Sequence, residues 1–122
     1  MNYLLIFIGG GLGALSRFTL TKLITDWFNI RFPIGILTCN LLGCLLIGYL
    51  VGYAAALKNT PEWFGPFLIV GFLGGFTTFS TFANDSYNLV SQGQAMLGFF
   101  NILLSVVPAL FAIWLGLRLA GS

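Results

Sequence analysis

The sequence is poor in charged residues and contains no histidine. Only 7% of its 122 residues are charged, five Lys/Arg and three Asp/Glu, whereas 58% are hydrophobic. Soluble domains carry about 25% charged residues. With a mean hydropathy of +0.99, this composition excludes a soluble globular domain, because such a surface would aggregate in water but suits lipid. The sequence therefore predicts an integral membrane protein.

The missing histidines and the scarce carboxylates also narrow the chemistry. They exclude histidine metal sites, the Ser/His dyad of an intramembrane protease and most general acid–base schemes, so we expect no enzyme. The basic residues are scattered and the net charge is only +2, which argues against a nucleic-acid partner. The two cysteines, Cys39 and Cys44, would point about 140° apart on a helix. We interpret them as packing residues rather than a disulfide, redox or metal site.

Four long apolar runs divide the chain. A membrane-spanning helix needs roughly 20 apolar residues, and we place such spans at about residues 3–24, 34–57, 63–89 and 95–117. The first run lacks a basic flank and a cleavage site, so we expect a retained span rather than a signal peptide. The predicted fold class is an all-α membrane protein with four transmembrane helices, in which residues 1–122 form a single domain. Any function should then lie inside the bilayer.

Glycines mark two kinds of feature. The third run is too long for one straight crossing and contains Gly74-Gly75-Phe76-Thr77-Thr78, where glycines and β-branched residues weaken a helix. We expect the third helix to be broken there. Freed backbone groups are tolerated at membrane depth only where protein buries them or water and ions reach them, so the break is a candidate site; the alternative is a glycine pair used for close packing. The pairs Gly9/Gly13 and Gly48/Gly52 predict close helix packing.

Positive charge is nearly balanced between the two ends of the predicted spans. Lys58 and Arg118 fall on one side, and Lys22 and Arg31 on the other, with Arg17 deeper in the first span. The positive-inside rule therefore has little bias on which to act. We expect dual topology and an antiparallel homodimer, since four helices alone can hardly enclose a pathway.

Polar side chains cross the membrane in the second and third spans. If the third helix were continuous, Thr77, Thr81, Asn84 and Asn88 would share one face, and Phe72, Phe76, Phe79 and Phe82 the opposite one. A neutral polar stripe is either glue between helices or a lining that replaces water around a solute. The phenylalanines are either lipid-facing packing or part of that lining. Asn40, in the second span, needs partners for its amide, and helix contact and ligand contact both remain open.

Two charged side chains lie near the hydrocarbon. We expect Arg17 to snorkel toward the interface, with a vestibule that attracts anions as the alternative. Asp85 is expected to pair with a Lys or Arg, but its role is open. A proton-coupled small-solute exporter that uses Asp85 is the alternative function, although the first two spans contain no carboxylate. A purely structural subunit is the other alternative.

One stretch resembles a known family. Residues 71–82 read GFLGGFTTFSTF, which matches the pattern G-F-x-G-G-x-T-T-F-S-T-F of the Fluc (CrcB) fluoride channel family. Residues 9–18, residues 33–43 and Trp114-Leu115 are also similar to that family. The resemblance thus extends over the whole chain, and its third-span motif is highly specific.

The resemblance implies a fold and a function. Members of this family are dual-topology antiparallel homodimers with two fluoride pores, a broken third helix and a Na⁺ ion held at the dimer centre by backbone carbonyls. The implied function is passive efflux of F⁻ across the cytoplasmic (inner) membrane of a bacterium, which relieves fluoride toxicity. The implied pore residues are Asn40, Phe79, Ser80, Thr81, Phe82 and Ser105. Arg17 would supply the vestibule charge, and Gly74 and Thr77 the carbonyls for Na⁺.

The chain also departs from the family pattern. Ile36 stands where a hydroxyl residue is common, so neighbouring Thr38 is a candidate replacement. Asp85 stands where Glu is usual. Asn101 occupies a position of Tyr or Asn, and Ala109 one that can be Ser.

Overall fold

The computed structural model describes residues 2–121, and these are almost entirely helical. Its elements are α1 (Asn2–Phe28), α2 (Ile34–Ala56), a π-helix (Phe64–Leu73), α3 (Gly74–Phe76), α4 (Ser80–Ser91) and α5 (Ala95–Leu119). Within residues 2–121, four segments are long and apolar enough to cross a membrane: Asn2–Phe28, Ile34–Ala56, Phe64–Ser91 and Ala95–Leu119. Many of their large apolar side chains face outward, as lipid contact requires. The chain is an all-helical, multi-pass membrane protein.

Glycines let the helix backbones approach each other closely. α1 packs along the π-helix and α3, and α2 packs along α5. A Cβ atom added at Gly13 would overlap the carbonyl oxygen of Phe72, and one at Gly48 would overlap that of Ile113. The close packing predicted at Gly9, Gly13 and Gly48 is therefore present, and it forms the scaffold around the third segment.

The third segment changes its geometry three times. It begins as a π-helix, which the sequence did not predict, and Pro66 near its start has no N–H for an α-helical bond. Gly74 and Gly75 are helical, and helical geometry ends at Phe76. Thr77 is extended, with φ −95° and ψ 153°, and α4 begins at Ser80. The glycine pair itself is therefore not interrupted. A Cβ atom at Gly75 would overlap the carbonyl oxygen of Gly10, so this glycine serves close packing.

Candidate ion pathway

Asn40 holds the non-helical residues 77–79 against α2. Its side-chain Oδ1 accepts a hydrogen bond from the backbone N–H of Thr78 at 2.8 Å, and its Nδ2 donates to the carbonyl of Thr78 at 3.0 Å. A peptide group outside a helix has no partner of its own at membrane depth. The Asn40 amide therefore satisfies both backbone groups of Thr78.

The same pairing leaves one donor free. An asparagine amide carries two N–H groups, and only one of those on Asn40 is used by Thr78. The second has no hydrogen-bond partner within residues 2–121. Because the Thr78 N–H must face an oxygen and its carbonyl a nitrogen, the amide orientation is fixed. Asn40 thus offers a hydrogen-bond donor held in a defined direction.

A cavity of about 540 Å³ opens beside these residues. It is lined by Asn40, Cys44, Gly74, Thr77, Thr78, Phe79, Phe82, Ser105, Val106, Ala109 and Leu110. We call it the break cavity. None of these described lining residues is charged, and the cavity brings together four of the predicted pore residues from α2, α5 and the third segment: Asn40, Phe79, Phe82 and Ser105. The Oγ atom of Ser105 is buried and has no partner in the described part of the chain, so after the Asn40 amide it is the second uncommitted polar group among these lining residues.

The phenylalanines do not form one continuous stripe. Phe72 stacks on Phe76 before the interruption, with ring centroids 6.0 Å apart. Phe79 and Phe82 form a separate pair after it, at 5.6 Å and an interplanar angle of 58°. Only the second pair lines the break cavity. Phe82 is buried, whereas Phe79 is 78% exposed on the surface of the single chain.

A second cavity, of about 370 Å³, contains the charged groups. Arg17 lines it together with Ile36, Thr81 and Asp85, and we call it the vestibule cavity. Snorkelling is the wrong prediction for Arg17: its side chain is half-buried, and Nη1 donates to the carbonyl of Gly75 at 2.9 Å. Cations are favoured at the C-terminal end of a helix, and Gly75 lies just before helical geometry ends.

Asp85 lies between two arginines without pairing with either. It lines the vestibule cavity with Arg17, and it also lines a smaller cavity of about 130 Å³ with Arg31. No ion pair joins Asp85 to a basic side chain in residues 2–121, although pairing with a Lys or Arg was expected. Thr38 does not replace the hydroxyl missing at Ile36, because it faces a groove between α2 and α5 and donates to its own helix at Ile34.

Two threonine hydroxyls separate the cavities. Thr78 lines the break cavity and Thr81 the vestibule cavity. The Oγ1 atom of Thr78 donates to that of Thr81 and accepts from the Thr81 backbone N–H, both at 3.4 Å. Ser80 is exposed and lines neither cavity. Thr78 was missed as a functional candidate, although its position between Thr77 and Phe79 in the matched motif was a usable signal.

The carbonyls of the third segment differ in how they are satisfied. Arg17 occupies the carbonyl of Gly75, and Asn40 that of Thr78. Within residues 2–121, no group donates a hydrogen bond to the carbonyl of Gly74 or Thr77. Both residues line the break cavity. Unpaired carbonyl oxygens suit hard cations, so these two residues fit the Na⁺ that the family resemblance implies.

Comparison with known proteins decides the family. Residues 4–117 match the family described as "CrcB-like protein, Camphor Resistance (CrcB)". The chain belongs to the CrcB family. A CrcB relative from Francisella philomiragia, named fluoride-specific ion channel FluC, is 44% identical over 117 residues, which cover 93% of this chain and 89% of the relative.

Two further relatives extend the comparison to other bacteria. A protein of the same name from Solibacter usitatus is 41% identical over 120 residues, with 98% of each chain covered. Another, from Flavobacterium psychrophilum, is 39% identical over 115 residues, with 94% of this chain and 93% of the relative covered. Similarity to CrcB proteins therefore extends over almost the full length, including both cavities.

Proposed function

We propose that this protein is a fluoride-selective channel that lets F⁻ leave the cell passively across the cytoplasmic membrane. One observation carries the proposal: the break cavity holds uncommitted donors on Asn40 and Ser105 and no charged side chain. The CrcB relatives named as fluoride-specific channels support the same function. A channel makes and breaks no covalent bond in its substrate, so the protein is not an enzyme.

Conduction of a small anion needs donors that replace its water without trapping it. The free amide N–H of Asn40 and the Ser105 hydroxyl can each donate one hydrogen bond. The edges of the Phe79 and Phe82 rings carry partial positive charge and can add weak contacts. Because no Lys or Arg lines the cavity, the ion would meet no deep electrostatic well and could leave.

The vestibule cavity would feed this cavity. Arg17 would raise the local concentration of anions there. The Thr81 and Thr78 hydroxyls, which lie between the two cavities, would pass the ion from the vestibule cavity to the break cavity. Ser80 is the predicted pore hydroxyl with the least support, since it is exposed beside this route. The membrane potential, negative inside, drives an anion outward. A passive pathway is therefore sufficient to relieve fluoride toxicity, and residues 1–122 act as one channel domain.

An antiparallel homodimer would complete the wall of the ion pathway. Phe79 is 78% exposed on the single chain, so the break cavity lacks a wall that a second copy can supply. Each subunit would then contribute one cavity, giving two pores. The balanced charges support dual topology. Two variants with lysines added at opposite ends of the membrane spans should insert in opposite orientations. Fluoride efflux should then require both variants together. Efflux from either variant alone would contradict an antiparallel assembly.

Na⁺ would bind the free carbonyls of Gly74 and Thr77 at the dimer centre. Its chemistry there is structural, since a hard cation balances exposed carbonyl dipoles. A ligand that binds only the folded state raises the melting temperature. Replacing Na⁺ by N-methylglucamine should therefore lower the Tm of the purified protein, and an unchanged Tm would contradict the site.

The alternative of a proton-coupled exporter lacks a specific observation in its favour. Asp85 lies on the vestibule cavity and the smaller cavity beside Arg31, not on the break cavity. An exporter of this kind would need a pH gradient, and Asp85→Asn should abolish its transport. Fluoride release without any pH gradient separates the two functions.

The decisive experiment is fluoride efflux from liposomes that hold the purified protein, measured with a fluoride electrode and with chloride in parallel. Phe79→Ile and Phe82→Ile should reduce efflux about tenfold or more while the dimer stays assembled, because each removes a ring edge from the cavity. Phe7→Ile is the matched control, since Phe7 is also 78% exposed but lies on α1 away from both cavities. Wild-type efflux in both cavity variants would remove the phenylalanines from the pathway.

A further inference from the structure

α4 is attached to the rest of the protein by few apolar contacts. It follows the interruption, packs mainly on α5, and buries only Phe82, Ser86 and Leu89. Its other residues are largely exposed and polar. Polar contacts at the α4–α5 interface therefore have a large share in fixing where this helix lies.

A buried hydrogen-bond chain crosses this interface. Asn101, on α5, is 2% exposed, and its Nδ2 donates to Ser86 Oγ at 2.8 Å. Ser86 Oγ in turn donates to the backbone carbonyl of Phe82 at 2.9 Å. A hydroxyl has one proton, so Ser86, which gives its proton to Phe82, must accept from Asn101. The chain is directional, and it ends on the residue whose ring lines the break cavity.

The face of α5 that binds α4 also lines the break cavity. Gly98 and Asn101 pack against α4, and Ser105, one helical turn beyond Asn101, lines the same cavity as Phe82. A Cβ atom at Gly98 would come within 2.7 Å of the Val90 side chain, so the helices are already in close contact. Any movement of α4 along α5 would therefore change the spacing between Phe82 and Ser105.

We propose that Asn101 is a positioning residue: through Ser86 it fixes Phe82 relative to Ser105 and so sets the width of the ion pathway. This inference rests on the proposed channel function. Asn101 acts at a distance, because it does not line the break cavity. Leaving a buried donor without its acceptor is costly, so the position of α4 should be sensitive to the loss of this contact.

Unitary fluoride conductance in planar bilayers tests the proposal. A merely structural role would reduce the number of active channels and leave the conductance of each one unchanged. Asn101→Leu and Ser86→Ala should each lower the unitary conductance about fivefold or more. This factor is what results when the free-energy cost of one unpaired buried donor or acceptor is added to the barrier for conduction. The double variant should be no worse than the poorer single variant, because both changes break the same contact.

A control and a second variant keep the test decisive. Ser91→Ala is the matched control, because Ser91 lies on the same helix and its hydroxyl donates to a backbone carbonyl, that of Asn88, but it is exposed. If Asn101→Leu fails to assemble, Ser86→Ala, which removes one oxygen atom, still decides the question. Wild-type unitary conductance in Ser86→Ala, or additive losses in the double variant, would overturn the proposal. Absence of fluoride current in the wild type would instead overturn the channel function itself.

Discussion

The two parts of the third membrane segment are held in place by different means. Before the interruption, the π-helix and α3 lie directly on the backbone of α1, with Gly9 and Gly13 against Phe67 and Phe72. After it, α4 is tied through side chains, with Asn101 bonded to Ser86 as the buried example. The first part has no room for an added atom at its contacts with Gly9 and Gly13, whereas the second depends on a few hydrogen bonds.

This difference separates a scaffold from a pathway. Contact between backbones fixes the distance between helices, because no rotamer change can relieve an overlap. Side-chain hydrogen bonds fix direction, and each has one donor and one acceptor that can be removed singly. Changes in the first part should therefore affect assembly, and changes in the second should affect conduction by an assembled protein.

The largest effect is expected for Gly13→Ala. Its Cβ atom would overlap the carbonyl oxygen of Phe72 and lie 2.9 Å from the carbonyl carbon, and backbone atoms cannot move aside cheaply. Overpacking of this kind costs typically about 1–3 kcal/mol and sometimes more. We expect little monodisperse protein in size-exclusion chromatography and a large loss of Tm. Gly11→Ala is the control, since nothing lies within 4 Å of a Cβ atom there; equal behaviour of the two variants would refute the scaffold role.

The next effect concerns the interruption itself. Asn40→Leu removes both partners of the Thr78 backbone, and each unsatisfied buried group costs about 1–3 kcal/mol. Because α1 and the π-helix are untouched, the protein should still assemble, while fluoride efflux falls on the order of 100-fold. Thr38→Val is the control: its hydroxyl bonds only to its own helix. Normal efflux from Asn40→Leu would show that the interruption does not need this amide.

The scaffold could be predicted from the sequence better than the pathway. Spans follow from the length of apolar runs, and close packing follows from small residues spaced four apart, both local patterns. The structure places the candidate pore residues Asn40, Phe79 and Phe82 on one cavity, but their part in conduction stays a prediction. The π-helix at Phe64–Leu73 gave no such signal, since no periodicity distinguishes it from an α-helix.

Contacts between distant residues could not be predicted. From the sequence, the Asn40 amide could serve either helix contact or ligand contact. Only the tertiary structure pairs it with Thr78 and leaves one of its N–H groups unused. Arg17 was expected at the interface because a lone charge in lipid is costly. The carbonyl of Gly75 compensates that cost, and this group becomes available only where a helix is about to end.

The smallest effect is expected where scaffold and pathway meet, at Arg17. Its hydrogen bond to Gly75 belongs to the first part, and its charge lies in the vestibule cavity. Arg17→Gln removes the charge, so fluoride efflux should fall about threefold to tenfold at low ionic strength. The difference in efflux between Arg17→Gln and wild type should shrink in high salt, because salt screens the Arg17 charge that the wild type still has.

Arg17→Lys separates the two contributions. The lysine keeps the charge but not the planar fork that reaches the carbonyl. If charge alone matters, Arg17→Lys should conduct like wild type at every salt concentration. If the hydrogen bond to Gly75 also positions the free carbonyls beside it, Arg17→Lys should lose efflux by the same factor in low and high salt. Lys22→Gln, an exposed cation on the same helix that lines neither cavity, should stay close to wild type; a salt-dependent loss there would place the steering charge on the whole surface rather than in the vestibule.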